Sequence, residues 1–152
     1  MPCLSPRCVT IEVVRMALLL IPQIHRTTHQ IGLYIERSGL GLNQGEAHIL
    51  AHLASAGDSS VGELHKAFAH KRSTLTSFLD RLTDRRLIRR EVRSDDRRSF
   101  VVSLTPSGKV VARKIHRHLE TLEKAALRGA KPGKTKAFTD LIGAVGEAAT
   151  RL

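Results

Sequence analysis

The chain is poor in large rings. Of its 152 residues none is tryptophan, one is tyrosine and four are phenylalanine. A core without rings must be built from Leu, Ile, Val and Ala, which favours packed helices over a β-sandwich. Cysteine is equally scarce. Cys3 and Cys8, both near the start, are too few for a disulfide scaffold. The apolar run at residues 16–22 is seven residues long, too short to span a bilayer. Arg7 precedes that run as in a signal peptide, but no small-x-small cleavage site follows and helical spacing continues beyond it. A cytoplasmic protein without a membrane partner is the expectation. Enzyme motifs are absent too: no nucleophile–base pair, phosphate loop or metal-plus-carboxylate pattern occurs. Acids are outnumbered, 14 against 25 Lys and Arg, giving a formal charge of +11. Such a charge calls for a polyanionic partner.

The charge is concentrated. Between His65 and Arg98 stand Lys66, Lys71, Arg72, Arg81, Arg85, Arg86, Arg89, Arg90, Arg93, Arg97 and Arg98. Against these eleven cations are five acids, Asp80, Asp84, Glu91, Asp95 and Asp96, a local balance of +6. Within this stretch Leu75, Phe78, Leu79 and Leu82 fall at helical spacing on one side. The other side carries Lys71, Arg72, Ser73, Thr74, Thr76, Ser77 and Arg81. Strand alternation follows, with a turn over residues 94–98 and a return over 100–104. Short hydroxyl side chains allow close approach to base edges, and arginine pairs bidentately with guanine or with phosphate. A polar, cationic helix followed by a basic-tipped hairpin is the layout of a reader of duplex DNA.

The rest of the chain positions that unit. Residues 1–7 read as a loose tail because Pro2 and Pro6 oppose regular structure. Apolar residues from 9 to 36 recur at helical spacing, and Pro22 is expected to kink or split that helix. Asn43 with Glu46, and Ser60 with Glu63, are capping-box pairs that open helices over 44–55 and 61–69. A third helix is expected over 71–85. A short helix, a tight turn and a second helix with a basic face is helix-turn-helix logic, and the hairpin of residues 87–93 and 99–104 makes it winged. That hairpin must pack on the helices through Leu87, Val92, Val101, Leu104 or their neighbours. Thr105 and Pro106 suit the cap and first position of a long helix with an apolar seam, and a last helix covers 134–151. The fold class expected is mainly α with a small β wing: a winged helix-turn-helix at 42–105, with residues 9–37 and 106–152 forming a helical dimerisation region.

Several of these segments together resemble the MarR-type transcriptional regulators. They are Leu42-Asn43-Gln44, the capped helix over 60–69, Arg72-Ser73-Thr74-Leu75-Thr76 with Leu79-Asp80-Arg81-Leu82, and above all the stretch from Asp95-Asp96-Arg97-Arg98 through Ser103-Leu104-Thr105-Pro106-Ser107-Gly108. The similarity covers residues 11–127, and the wing with its SLTPSG sequence is its most specific part. The resemblance implies a homodimer that binds palindromic double-stranded DNA, commonly as a repressor, and is released by a small ligand, metal or oxidant. It places Ser73, Thr74, Thr76, Ser77 and Arg81 on the recognition helix. Arg98 then reaches the minor groove from the wing tip and Asp96 orients it; the adjacent Arg97 is a candidate for phosphate by its charge. An effector pocket is implied between the dimer lobe and the winged domain, lined by the first, second and fifth helices; the effector itself is unknown and no cofactor is implied with certainty. One departure is Arg86, which stands where the family commonly has glycine after the recognition helix.

Two constellations lie outside that pattern. His25 and His29, and likewise His48 and His52, are four residues apart, so each pair shares a helix face that can hold a metal ion. Cys8 sits beside Arg7, and an electropositive setting favours the thiolate. Some MarR-type regulators sense oxidants through an N-terminal cysteine, which marks Cys3 and Cys8 as redox candidates. The alternatives are therefore a metal- or oxidant-responsive regulator of the same fold, or an architectural protein that binds DNA without sequence choice.

Overall fold

The computed structural model describes the backbone of residues 6–92 and 100–152, with side chains from Leu20 onward. Among the described residues six helices and three short strands follow one another. The first helix, α1, spans Pro6–Glu36 without a break at Pro22. The expected split does not occur. A proline deletes one backbone donor, and the hydrogen bonds on either side carry a helix of 31 residues past the gap. The helix also takes in Pro6 and Arg7, which had been expected in a tail. Proline is well placed in the first turn, where its missing N–H has no partner to lose.

Both capping boxes form. Asn43 Oδ1 accepts from the Glu46 N–H at 2.9 Å, and Glu46 Oε2 accepts from the Asn43 N–H at 3.1 Å, opening α2 (Gln44–Ala56). Ser60 and Glu63 do the same for α3 (Val61–Phe68). Ala69 ends α3 in the left-handed region at φ 50° and turns the chain into α4, Arg72–Asp84. The wing contains more than a hairpin. Strand β1 (Ser59–Ser60) joins β2 (Ile88–Val92) and β3 (Phe100–Leu104) in an antiparallel sheet of order β1-β3-β2. Ser59 pairs with Val102, and Ile88 with Leu104. A two-residue strand is too short to show alternation, so it left no trace in the sequence.

Leu50 and Leu53 of α2, Leu64 of α3, Leu75, Leu79 and Leu82 of α4, and Ile88 and Val102 of the sheet are buried together with Ile35 of α1. Aliphatic residues fill the core, as the shortage of rings demands. The anchors of the wing are those expected or their neighbours, except at Val92. Leu87, Ile88 and Val102 are buried, whereas Val92 is 53% exposed beside its cross-strand partner Phe100. That pair closes the described end of the ladder away from Leu87.

The turn from α4 into β2 is a Schellman motif. The Leu87 N–H donates to Leu82 O at 2.9 Å, and the Arg86 N–H to Thr83 O at 2.8 Å. Arg86 occupies the left-handed position at φ 55°, the one that favours glycine. The Arg86 carbonyl accepts from Thr105 Oγ1 at 2.7 Å and Ser107 Oγ at 2.9 Å, fastening the start of α5 (Pro106–Ala126) to this turn. Thr105 Oγ1 also caps α5 by accepting from the Gly108 N–H at 2.9 Å. Gly108 lies so close to the strand that an added Cβ would meet Leu87 O at 1.8 Å.

The chain forms two compact units, residues 1–116 and 117–152, whose boundary falls inside α5. In the second unit α6 (Pro132–Arg151) starts on a proline at its first position. No residue of α6 is buried, and its apolar stripe of Phe138, Leu141 and Ile142 is exposed, Phe138 by 63%.

Candidate nucleic-acid interface

The expected reading face lies on the surface of α4. Leu75, Leu79 and Leu82 point inward, while Lys71, Arg72, Ser73, Thr76, Ser77 and Arg81 are exposed and Thr74 is half-buried. Lys71 is the N-cap residue and makes no side-chain cap. The first turn of α4 therefore presents unpaired backbone donors beside two cations, a setting that attracts phosphate. Thr76 Oγ1 donates back to Arg72 O at 2.9 Å, which leaves its lone pairs outward.

The arginines of this region are not equivalent. Arg81 Nε contacts Glu46 Oε1 at 2.5 Å, with the Glu46 side chain 5% exposed and that of Arg81 48% exposed. Arg81 Nη1 reaches Ser77 Oγ at 3.3 Å, and its guanidinium lies 5.2 Å from the Phe78 ring centre. Glu46 thus serves two elements at once, capping α2 with one oxygen and holding α4 with the other. Arg85 donates to Gly41 O at 2.7 Å and to Leu40 O at 2.8 Å, tying the end of α4 to the α1–α2 loop. Arg90 of β2 pairs with Asp80 of α4 at 2.5 Å, and Arg89 with Glu91 at 3.1 Å. By contrast Lys66, Lys71, Arg72 and Arg86 have no ion pair among the described residues. The pairing of Glu46 with Arg81 was not read from the sequence. The capping-box position already accounted for Glu46, and Arg81 is 35 residues away.

Asp96, Arg97 and Arg98, expected at the wing tip, lie outside the described residues, as does Cys3; Cys8 falls on α1 without a described side chain. The histidine pairs are placed differently from one another. His25 and His29 are exposed on α1. His52 meets Phe68 edge-on at 5.4 Å, and His48 is half-buried near His70. Burial, and then the neighbouring His70, hold the His48 imidazole below its usual pKa. Among the described residues no three His, Cys, Asp or Glu side chains gather as a metal cluster would require. His70 and Phe78, unremarked in the sequence as a pair, continue the aromatic row: His70 stacks on Phe68 at 6.3 Å and meets Phe78 edge-on at 5.3 Å.

A capped helix, a left-handed turn, a second helix with a hydroxyl-rich cationic face and a three-stranded wing define a winged helix-turn-helix, a DNA-binding class. Residues 39–99 match the model of the MarR family. Over that segment the chain is similar to the MarR family, whose members are transcriptional regulators. No curated protein sequence matches the chain. Solved structures share its fold. Reduced AbfR bound to DNA is 16% identical, with 93% of this chain and 98% of that chain covered and a TM-score of 0.75. PcaV from Streptomyces coelicolor, in complex with its natural ligand, is 20% identical, with 84% and 91% covered and a TM-score of 0.72. A variant of MarR from E. coli complexed with operator DNA is 20% identical, with 88% and 95% covered and a TM-score of 0.71. Among the described residues no helix is long and apolar enough to cross a membrane.

Proposed function

We propose that this protein is a sequence-specific transcriptional repressor that binds a palindromic operator as a homodimer and acts in the cytoplasm. The observation that carries this reading is the exposed face of α4 on a MarR-type winged helix, where Lys71 and Arg72 stand without ion pairs among the described residues, beside Ser73, Thr76 and Ser77. Lys71 and Arg72 take phosphate, the hydroxyls approach base edges, and Arg81 spends part of its guanidinium holding the helix in place. Arg98 supplies the minor-groove contact from the wing, oriented by Asp96, with Arg97 on phosphate. Two-fold symmetry of the protein imposes two-fold symmetry on the site it reads.

The dimer forms through residues 9–37 and 106–152, and residues 42–105 read DNA. Support comes from α6, whose Phe138, Leu141 and Ile142 stripe is exposed. The protein is a binder and not an enzyme. Its release by a small ligand is in keeping with PcaV, whose structure holds a natural ligand. AbfR was captured on DNA in a reduced state, which makes oxidation of Cys3 or Cys8 the variant of this reading to examine by peroxide treatment.

The test is selection of bound duplexes from a random pool. An inverted repeat bound about 10³-fold more tightly than random duplex supports the proposal. Salt-dependent binding with no enriched sequence would instead make it an architectural protein. On the selected operator, Arg98→Ala should cost about 1–3 kcal/mol; an equal loss on every sequence would assign it to phosphate.

A further inference from the structure

A cleft of about 360 Å³ lies where the end of α2, the loop into β1, the end of β3 and the first turns of α5 meet. All of it belongs to the first compact unit. Among the described residues none of α1 lines it, so it is distinct from the pocket that the family resemblance implies between the first, second and fifth helices. Its apolar surface comes from Leu53, Ala54 and Leu104, with Leu53 buried. The side formed by α2 and its loop is negative. Asp58 stands there beside Gly57, the residue that caps the C-terminal end of α2. The side formed by α5 is positive. Lys109 and Arg113, one turn apart, line it, and no acid occurs between Pro106 and Leu119.

The backbone repeats the pattern of the side chains. The last carbonyls of α2 carry the negative end of a helix dipole next to Asp58, and the first turn of α5 carries the positive end of another next to Lys109. Yet neither Asp58 nor Lys109 makes an ion pair among the described residues. Opposite charges share one cleft without closing on each other. A phosphate suits α5 and is repelled by Asp58; a simple amine suits Asp58 and is repelled by Lys109 and Arg113. A molecule that carries both charges meets both sides. The volume is at the small end for a ligand site, which limits the body of such a molecule to a few carbons against Leu53 and Leu104.

We infer that this cleft binds a small zwitterion with an aliphatic body, an α-amino acid of the leucine kind, its carboxylate on Lys109 beside Arg113 and its ammonium on Asp58. Free leucine is the probe. Isocaproate is the same body without the ammonium, and isoamylamine the same body without the carboxylate. Thr105 and Ser107, at the start of α5, donate to the Arg86 carbonyl, so an occupant touches a helix fastened to the turn after α4. Any effect on DNA binding by that route rests on the proposed function; the binding itself does not.

Each probe is titrated into the DNA-free full chain, with the methyl resonances of Leu53 and Leu104 followed by NMR. Leucine should shift them saturably, and each single-charge analogue should bind at least about 10-fold more weakly, the equivalent of roughly 1.4 kcal/mol. Asp58→Asn should bring leucine down to the level of isocaproate. Lys109→Gln should weaken leucine and strengthen isoamylamine. Ala54→Phe fills the cleft from an exposed position on α2 and should abolish the shifts while the protein stays folded. If that variant does not fold, the two charge variants, both at exposed positions, decide the matter. Equal or tighter binding of either analogue, or of inorganic phosphate, overturns the inference. So does a failure of leucine to saturate by about 10 mM, or shifts that survive Ala54→Phe. The titration uses no DNA, so its failure and a failure of the operator selection are separate results.

Discussion

The two ends of α4 each carry two cations and do different things. At the first turn Lys71 and Arg72 have no ion pair among the described residues and stand beside uncapped backbone donors. At the last turns Asp80 is paired with Arg90 of β2, Arg81 with Glu46 of α2, and Arg85 with the carbonyls of Leu40 and Gly41. One end is available to an anion and the other is bolted to three neighbouring segments. A count of arginines along the sequence therefore overstates the charge available to phosphate. On the proposed function, the tethered end fixes the angle at which the open end meets DNA.

Breaking the tether should have the largest effect. Glu46→Ala removes a buried carboxylate that serves a capping box and an ion pair together. It should destabilise the fold by about 2 kcal/mol in urea unfolding, below the usual range for a broken buried pair because Arg81 remains half in water. A loss within about 0.5 kcal/mol would show that the tether contributes little.

At the open end, Lys71→Ala should leave the melting temperature unchanged and weaken binding to operator and random duplex alike, by about 1 kcal/mol in fluorescence anisotropy. A loss confined to the operator would instead make Lys71 a base reader. The junction beyond the tethered end is strained, since Arg86 holds φ 55°. Arg86→Gly should raise stability by about 1 kcal/mol, a difference that a denaturant midpoint resolves.

A smaller effect should come from His48. Its folded pKa lies below the ordinary 6.5, so above that pH neither state is charged and stability is flat. As the pH falls below 6.5, the unfolded chain takes up the proton first, and stability declines until the folded pKa is passed. His48→Gln should remove that part of the slope. An unchanged slope in unfolding experiments between about pH 7.5 and pH 5 would mean that His48 titrates alike in both states.

How much of this was legible in the sequence follows from the range of each interaction. Asn43 with Glu46, Ser60 with Glu63, and Thr105 with Pro106 are local signals, and all three open helices where expected. The exposed face of α4 follows from helical spacing alone. Arg86 was marked because glycine is usual at its position, and the positive φ shows why. What escaped was long-range or too short for a period. The Glu46–Arg81 pair joins residues 35 apart, β1 has two residues, and the row His52, Phe68, His70, Phe78 is assembled from three helices and a turn. Of the kink or split expected at Pro22, the split does not occur, because the helix on both sides outweighs one lost donor.

The most direct test of the division within α4 is the salt dependence of operator affinity for two variants. In a plot of log affinity against log salt, the double variant Lys71→Ala with Arg72→Ala should lose about 1.8 from the slope, two phosphate contacts' worth. Arg81→Gln should keep the slope of the parent protein while its melting temperature falls. A slope that drops for Arg81→Gln and holds for the double variant would contradict the account.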